Sequence, residues 1–483
     1  MMKRLLKDTA IYGSGDFLFK IVAFAVFPIY AHLFTVEEFG IMALVTTLAG
    51  FAGLLSNMGL NNAVQRYYWD PKMSKDKRPI LVSTGLLILL TWSICVIGGI
   101  LLVLYLLRGR IEERYSILWA FILLSLVTNI PAQILQYSQD VLRLHFSPWK
   151  FTFVSAWRNL FGVLLGLVLI IGFGKGLLGF FEGSFLAFMV SIPIGFWLIR
   201  KDLNLHLDIR MAKELILFGY PFIFANVAYW IFESMDRWML SELSNNTEVG
   251  LYSIAFKFAT ILIFINTAFG QAWAPNAMKL YSDHPNYRWV FGQIFSYLFF
   301  ALTVIGVIIS LFGAEVLRLI TPPEYWAAAT PLSVLAMSLV LSGTQQITAM
   351  GISLERKTYL FPAGTWGTAL INIILNWLMI PKLGALGAAF ATFISYFVLS
   401  GFYLYWTQKL HPIPVETKKI FLSVAIIFLT ILFTYYVNRL DWNQEMLISK
   451  VVYCFLVIGS GFLFGLIRKS EIRDLVKMRK VDL

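Results

Sequence analysis

The chain has 483 residues, of which 59% are hydrophobic and only 14% are charged, whereas a soluble domain carries about 25% charged residues. Its apolar residues suffice for about fourteen membrane crossings at about 20 residues each, which excludes a soluble enzyme and leaves no stretch for a separate soluble domain. The net charge of +12 is typical of basic cytoplasmic loops, so it needs no nucleic-acid partner.

Apolar runs between charged residues or Pro and Gly breaks predict fourteen transmembrane helices. Because most connections are short, consecutive helices should be antiparallel neighbours, and the predicted fold is an all-α polytopic membrane protein. The predicted spans lie at about 10–34, 40–63, 80–107, 116–138, 151–173, 177–199, 214–242, 249–273, 290–314, 327–351, 360–380, 385–405, 420–438 and 447–467.

The distribution of Lys and Arg predicts the orientation. The N-terminus, the C-terminal tail and the connections on their side hold 27 of these residues, and the opposite connections hold 7. Cytoplasmic segments are the basic ones in membrane proteins. We therefore expect both termini in the cytoplasm, in a multi-pass protein of the inner or plasma membrane.

Three short features recur at offsets of 208 to 210 residues, in the same order along the helices. They are Glu38-Phe39-Gly40 with Glu248-Val249-Gly250, Gly176-Leu177-Leu178-Gly179 with Gly384-Ala385-Leu386-Gly387, and Trp157 with Trp366. The offset spans six helices, an even number, so it predicts two parallel six-helix lobes related by a pseudo-two-fold axis along the membrane normal. The predicted domains are an N-lobe at 1–205, a C-lobe at 206–410, two further helices at 411–467 and a basic cytoplasmic tail at 468–483.

Two lobes of this kind are typical of alternating-access transporters, with a cavity between them. Charged residues inside the spans are candidates for function, because an unpaired charge at the bilayer centre costs at least about 2.5–3.5 kcal/mol. Guanidinium and ammonium groups bind phosphate oxygens through charge-assisted hydrogen bonds, so basic residues predict an anionic substrate. The candidate substrate-binding residues are Lys20, Arg158, Arg237 and Lys257, together with Arg66 at the inner mouth.

The acidic residues Asp16, Glu233 and Asp236 are candidates for ion coupling or for counter-ions of the basic groups. Helix packing is the alternative interpretation. Asp16 and Lys20 are four residues apart, as are Glu233 and Arg237, and each pair could be an ion pair on one helix face.

Other polar residues carry weaker signals. Lys450 and Glu182, close to the predicted outer surface, are interpreted as interfacial. No His or Cys spacing is typical of a metal site, and no nucleotide-binding loop occurs, so we expect no metal and no cofactor. Neutral amides are candidates for hydroxyl recognition or for interhelical hydrogen bonds. They are Asn61, Asn62, Asn226, Asn266, Gln271, Gln345, Gln346, Asn372 and Asn376.

Several motifs resemble those of the polysaccharide transporter family, which contains the Wzx-type O-antigen flippases and belongs to the multidrug/oligosaccharidyl-lipid/polysaccharide exporter superfamily. The resemblance covers about residues 1–410. It rests on Lys20, Pro28-Ile29-Tyr30, Glu38-Phe39-Gly40, the run from Gly59 to Tyr68, Asp236-Arg237 and Val249-Gly250-Leu251-Tyr252-Ser253.

This resemblance implies a flippase, not an enzyme, that moves polyprenyl-diphosphate-linked oligosaccharides such as O-antigen or exopolysaccharide repeat units from the inner to the outer leaflet. It implies lipid-linked oligosaccharide diphosphates and membrane lipids as partners, H⁺ or Na⁺ as a coupling ion, and polymerases or glycosyltransferases of the same pathway. A peptidoglycan-precursor (lipid II) flippase, a multidrug antiporter and a membrane glycosyltransferase or polymerase remain alternatives.

Overall fold

The computed structural model describes residues 25–68, 73–115, 117–145, 147–204, 206–355, 357, 359–438 and 444–463. The described residues are almost entirely helical and contain no β-strand, which confirms the predicted all-α class. The chain divides into two compact units, Met1–Ser234 and Met235–Leu483, and the division falls within the helix Pro221–Leu243.

The first unit is organised around one long central helix, α5, which packs against α1, α3 and α7. A helical stretch at 25–33 precedes α1. The helices are α1 (Val36–Asn57), α2 (Leu60–Tyr68), α3 (Arg78–Leu106), α4 (Arg108–Tyr115), α5 (Trp119–Leu144), α6 (Pro148–Leu167), α7 (Gly176–Ile199), α8 (Ile209–Gly219) and the first part of α9 (Pro221–Leu243).

The second unit is organised in the same way around α13, which packs against α10, α12, α15 and α16. After the rest of α9 come α10 (Asn246–Ala259), α11 (Ile261–Asp283), α12 (Tyr287–Ile320), α13 (Ala329–Thr348), α14 (Met350–Leu354), α15 (Leu360–Leu410), α16 (Thr417–Val437) and α17 (Gln444–Leu463).

Within the described residues, ten helical segments are long and apolar enough to cross a membrane, or eleven if α10 and the first part of α11, bent by 41°, form one span. The chain is therefore a multi-span membrane protein. Three reasons reduce the predicted fourteen to eleven, and the bend between α10 and α11 accounts for the count of ten. Most of the first predicted span lies outside the described residues, four charged side chains make α9 less apolar, and α15 holds two predicted spans.

The predicted span at 214–242 is wrong at its start, because the helix is interrupted between α8 and α9. Pro221 has no backbone N–H to continue the helix. The amphipathic helix α8 packs instead on α2. In the turn before α2, the carbonyl oxygen of Met58 would lie 2.6 Å from a Cβ at Gly219. Asp208 caps α8, and the hydrogen bonds from the N–H groups of Met211 and Arg210 lower the pKa of its carboxyl.

Helix starts recur at the offset that the sequence repeat predicts. Three helices of the first unit, α1, α3 and α5, begin 210, 209 and 210 residues before α10, α12 and α13. The first pair also shares its cap, since Thr35 accepts from the N–H of Glu38 at 3.2 Å and Asn245 accepts from the N–H of Glu248 at 2.9 Å. A side-chain oxygen at this position satisfies an N–H that the helix itself leaves unpaired.

The two Gly-x-x-Gly motifs also share the same structural role. Gly176 and Gly384 both have φ of +54°, a left-handed conformation that favours glycine. A Cβ on Gly179 would lie 3.0 Å from the backbone nitrogen of Ile170, and one on Gly387 would lie 2.5 Å from the carbonyl oxygen of Met379. Both motifs therefore turn the chain sharply and let the next helix pack closely on the previous one. At 51 residues, or about 75 Å, α15 is two helices joined at Gly384.

A fourth correspondence was not visible in the sequence. His145 contacts Asp202 at 3.0 Å, and Glu355 contacts His411 at 2.9 Å. The offsets are 210 and 209 residues, with the imidazole and the carboxylate exchanged. Each pair joins the end of one helix to the end of another within its own unit. The pseudo-two-fold axis itself stays a prediction.

Lys450 on α17 was expected at the membrane interface, and that interpretation is wrong. Its side chain is 0% exposed, and its ammonium group lies 2.7 Å from Glu315 on α12. Burial of an ammonium requires a partner, because desolvation of an unpaired charge costs several kcal/mol. The ion pair therefore holds α17, the last described helix, against α12 within the second unit. Glu182, in contrast, is partly exposed and pairs with Lys175.

We expect Lys450→Met to lower the free energy of unfolding by about 3 kcal/mol, because it leaves Glu315 unpaired in a largely buried position. The double variant Glu315→Gln/Lys450→Met should regain most of this loss. Lys175→Met is the matched control, since its ion pair is 39% and 26% exposed and its loss should cost at most about 1 kcal/mol. Thermal unfolding of the purified protein measures all three, and equal losses in the two single variants would contradict the assignment.

Candidate functional site

Two of the predicted site residues, Asp16 and Lys20, lie outside the described residues. The other six divide between the units. Arg66 and Arg158 belong to the first unit, Glu233 lies on the last turn of α9 before the division, and Asp236, Arg237 and Lys257 belong to the second unit.

The first unit carries a polar stripe along α5, at the four residues Asn129, Gln133, Gln136 and Asp140. Spacings of three and four residues place them on one helix face, and all four are half-buried. Gln133 joins this stripe to α1, since its amide nitrogen donates to the carbonyl oxygen of Gly53 at 2.7 Å and its amide oxygen accepts from Asn57 at 3.2 Å. Amides facing lipid are costly, so the stripe marks a face of α5 in contact with other polar groups.

At one end of this stripe, a cleft of about 290 Å³ lies between α2 and α5. Polar side chains dominate its wall. The lining residues are Asn61, Asn62, Val64, Gln65, Gln136, Tyr137, Asp140, Val141, Arg143 and Leu144.

Arg66 lies on α2, one residue after Gln65 of the cleft. Its side chain is exposed, and its guanidinium carbon lies 5.1 Å from the centre of the Phe218 ring on α8. The aromatic face holds the charge near the end of the helix without burying it. Arg66 therefore lies near a helix end, next to polar side chains, and its place at the inner mouth stays a prediction.

Arg158 lies near the middle of α6 and is half-buried. Its Nη2 donates to Asn159 at 2.6 Å, and its guanidinium carbon lies 5.2 Å from the centre of the Phe188 ring on α7. The charge is therefore supported by an amide and an aromatic face. Arg66 and Arg158 have separate aromatic supports, on different helices, so the described contacts do not bring them together.

The second unit buries one carboxylate among neutral donors. Asp236 on α9 is 2% exposed. One of its oxygens accepts from Tyr252 at 2.6 Å and from Thr392 at 2.9 Å, and the other accepts from Asn376 at 2.6 Å. The same Asn376 amide also donates to Asn372 at 3.0 Å. We call these five residues the Asp236 cluster.

This cluster gathers oxygen atoms from three helices around one carboxylate. Among the described residues, the Nδ2 atom of Asn372 and the Oδ1 atom of Asn376 are buried without a hydrogen-bond partner. Carboxylate, amide and hydroxyl oxygens are ligands of hard cations, and the carboxylate can also take up a proton. No group of three His, Cys, Asp or Glu that could hold a metal ion occurs in the described part of the chain.

Arg237 and Lys257 lie beside the cluster, on α9 and α10. Both are half-buried, and the guanidinium carbon of Arg237 lies 5.3 Å from the centre of the ring of Phe256, the neighbour of Lys257. Lys257 precedes the bend between α10 and α11, where the Thr260 hydroxyl donates to the Lys257 carbonyl oxygen at 2.5 Å. A hydroxyl bonded to a helix carbonyl commonly accompanies a bend. Glu233 is exposed.

Several members of these sites were absent from the predicted residues, and three of them show why. Tyr252 belongs to a motif that supported the family resemblance, yet its contact with Asp236 depends on the turn between α9 and α10. Thr392 lies 156 residues from Asp236, and no local pattern marks it. Asp140 was missed because the predicted span ended at residue 138, whereas α5 continues to Leu144.

A family profile described as polysaccharide biosynthesis protein matches residues 5–280, more than half of the chain. The chain belongs to the polysaccharide biosynthesis protein family. This membership confirms the family resemblance found in the motifs. Relatives and solved structures whose names state an activity include an O-antigen transporter, a flippase and a MATE transporter, none of which is an enzyme by name.

Relatives of this family member by sequence include proteins of an archaeon and of two bacteria. An uncharacterized membrane protein of Methanocaldococcus jannaschii is 22% identical over 55% of this chain and 54% of its own length. A capsular polysaccharide biosynthesis protein of Staphylococcus aureus is 27% identical over 44% of this chain and 56% of its own. The chain thus spans about half the length of these two. A protein of Shigella flexneri named as an O-antigen transporter is 23% identical over 77% of this chain and 89% of its own.

Solved structures that share the fold of this family member include two whose functions are named. The lipid II flippase MurJ, in an inward closed conformation, matches with a TM-score of 0.69 at 15% identity over 95% of this chain and 99% of that chain. A MATE transporter of Vibrio cholerae matches with a TM-score of 0.59 at 14% identity over 84% of this chain and 96% of that chain. The fold is therefore the one that these two solved structures share.

Proposed function

We propose that this protein flips polyprenyl-diphosphate-linked oligosaccharides, the repeat units of O-antigen or exopolysaccharide, from the inner to the outer leaflet. Family membership and the relative named as an O-antigen transporter support the substrate class. The observation that carries the proposal is the presence of half-buried cations in helices of both units, Arg158 in the first and Arg237 and Lys257 in the second.

These cations suit a diphosphate. A buried positive charge in a membrane helix is costly, so its retention needs a function or a partner, and guanidinium groups bind phosphate oxygens in a bidentate manner. In the proposed sequence of events, Arg66 attracts the headgroup at the inner mouth and Lys20 and Arg158 bind the diphosphate. Arg237 and Lys257 receive it deeper in the membrane, while the prenyl tail stays in lipid.

The proposed transport cycle is alternating access by rocking of two lobes. The protein is proposed to lie in the inner or plasma membrane, with both termini in the cytoplasm. The lobe boundaries remain those predicted from the sequence, 1–205 and 206–410. The recurrence of helix starts and Gly-x-x-Gly turns supports a duplicated helix order, which alternating access in such transporters uses.

The Asp236 cluster is the proposed place of ion coupling. Asp236 is a buried carboxylate that accepts hydrogen bonds from neutral donors, so the binding of H⁺ or Na⁺ would neutralise its negative charge. Asp16 and Glu233 stay candidates for the same role or for counter-ions. Polymerases and glycosyltransferases of the same pathway are the proposed protein partners.

A lipid II flippase is the second candidate function. The observation that favours it is the fold shared with MurJ, at a TM-score of 0.69 compared with 0.59 for the MATE transporter. The two substrates share a prenyl diphosphate and differ in the attached sugar and peptide. A multidrug antiporter is less favoured, because cationic drugs require an acidic path and the charges named above are mixed.

The experiment uses the full chain in proteoliposomes with a fluorescent polyprenyl-diphosphoryl oligosaccharide. We expect the protein to carry the inner-leaflet probe to the outside, where a membrane-impermeant quencher removes its fluorescence, and empty liposomes to retain it. Lipid II and ethidium are the comparison substrates. Movement of ethidium alone would favour a multidrug antiporter, sugar polymerisation would favour an enzyme, and no movement of either lipid would refute the proposal.

A further inference from the structure

The cleft between α2 and α5 differs in charge from the basic residues that are proposed to bind the diphosphate. One oxygen of Asp140 accepts from Arg143 at 3.1 Å and from Gln136 at 3.2 Å, so the charged pair in the wall is balanced. The remaining polar wall consists of the neutral amides Asn61, Asn62 and Gln65. A balanced, amide-rich wall offers a phosphate no net attraction, so the cleft is built for a neutral polar group.

Two oxygen atoms in this wall lack a donor. Oδ2 of Asp140 and Oδ1 of Asn61 are buried, and no described residue donates a hydrogen bond to either of them. Buried polar atoms are nearly always hydrogen-bonded in native structures. A ligand for the cleft should therefore bring at least two donors, spaced to meet a carboxylate on α5 and an amide on α2.

The amides of the same wall also supply donors. Each Asn or Gln amide carries two N–H donors beside its oxygen, and the side chains of Asn62 and Gln65 are exposed. A ligand that both donates and accepts at neighbouring positions matches this wall. Vicinal hydroxyl groups do so, whereas a phosphate at neutral pH offers almost only acceptors.

The rest of the cleft suits a ring. Val64, Val141 and Leu144 are buried apolar side chains in its wall, and the hydroxyl of Tyr137 is already engaged with the carbonyl oxygen of Val82 at 2.7 Å. The volume of about 290 Å³ lies at the lower end of small-molecule sites, about 300–1,000 Å³. Apolar and polar walls in so small a cleft fit one sugar ring, with its C–H groups on one side and its hydroxyls on the other.

We propose that the cleft between α2 and α5 binds a neutral sugar ring, the headgroup sugar of the lipid-linked substrate, through Asp140, Asn61 and the neighbouring amides. This inference rests on the proposed function for the identity of the ligand. It assigns sugar recognition to the cleft and diphosphate recognition to the cations. Arg66, which follows Gln65 on α2, would hold the diphosphate beside it.

The test compares lipids with and without a sugar. The probes are polyprenyl diphosphate and three polyprenyl-diphosphoryl monosaccharides, carrying glucose, galactose or N-acetylglucosamine, with the purified full chain in nanodiscs. We expect at least one sugar-bearing probe to bind about tenfold tighter than bare polyprenyl diphosphate. Asp140→Asn and Asn61→Leu should each remove most of this difference and leave the affinity for the bare diphosphate unchanged.

Asp202→Asn is the matched control. Its carboxylate is 17% exposed, compared with 19% for Asp140, and it contacts His145 rather than the cleft. We expect this variant to bind every probe as the unchanged protein does. The cleft proposal is overturned if no sugar-bearing probe binds tighter than the bare diphosphate, or if the difference persists in both cleft variants.

A second measurement keeps both Asp140 and Asn61 in place and replaces only the exposed amide of Asn62. Asn62→Cys, at an exposed position of the cleft wall, is labelled by a thiol reagent in a background without Cys95 and Cys454. Free glucose, galactose or N-acetylglucosamine should slow this labelling, and no slowing by any of the three would count against the cleft. Free sugars need no diphosphate site, so this readout separates the two proposals. Protection by free sugar with no binding of any lipid probe would refute the flippase and keep the sugar site.

Discussion

Asp236→Asn is expected to abolish the dependence of transport on an ion gradient and to slow flipping by about tenfold or more, which raises the activation free energy by about 1.4 kcal/mol or more. Asn has nearly the shape of Asp but no charge. It offers one acceptor oxygen where Tyr252, Thr392 and Asn376 now donate to two carboxylate oxygens. The site therefore loses the charge that a proton or Na⁺ would balance.

The measurement is the flipping rate in proteoliposomes under an imposed pH gradient and, separately, under an imposed Na⁺ gradient. The unchanged protein should respond to one of the two gradients, which identifies the coupling ion. Tyr252→Phe and Thr392→Val are matched controls, since each removes one donor and keeps the carboxylate. We expect both to retain gradient dependence at a reduced rate.

The same variant separates coupling from packing. If Asp236 only holds helices together, its replacement should change thermal stability and leave gradient dependence intact. Replacement of a buried charged group by a neutral one of equal shape can be neutral for stability, so we expect a folded protein with lost coupling. Asp236→Asn protein that still responds to the gradient would exclude the cluster from energy coupling.

Arg158→Gln is expected to reduce flipping to the rate of protein-free liposomes. The truncation of a desolvated charge that binds a phosphate costs about 2–5 kcal/mol, or about thirtyfold or more in affinity. Gln keeps a polar side chain that can reach Asn159 but provides neither the charge nor the bidentate donors. Arg158→Lys should retain part of the activity because the charge remains.

Arg200→Gln is the control for this experiment. Arg200 also lies 5.2 Å from an aromatic ring, that of Trp197, as Arg158 does from Phe188, but its side chain is exposed at the end of α7. Loss of this surface charge should leave flipping nearly unchanged. Lys20→Gln, at the other predicted diphosphate residue, should match Arg158→Gln, and full activity in both variants would remove the two residues from the mechanism.

Much of the fold could be predicted from composition and periodicity. Membrane spans follow from the length of apolar runs, because the bilayer core sets how many apolar residues a helix needs. The Gly-x-x-Gly turns were visible as a repeat, because a left-handed turn favours glycine wherever it occurs. The interruption between α8 and α9 was not predicted. The apolar pattern continues through Pro221, and only the packing of α8 against α2 shows that the helix is broken there.

The sites were less accessible to sequence reasoning. A charge inside an apolar run is conspicuous, so Arg158, Asp236, Arg237 and Lys257 could be identified without coordinates. Their partners could not, because neutral residues such as Thr392 and Asn376 resemble any other polar residue of a membrane helix. The environment of Lys450 was also missed. Its position near a predicted helix end indicated the membrane interface, because its partner Glu315 lies 135 residues away in the sequence.

The amino-acid sequence by itself determined that this protein lies in a membrane, that it is helical and that it carries charges where lipid does not tolerate them, because these properties depend on local composition. Only the tertiary structure decided which groups meet. Asp236 is surrounded by hydroxyls and an amide from other helices, and Asp140 and Asn61 face one cleft, because contacts between helices depend on how their faces pack rather than on their order along the chain.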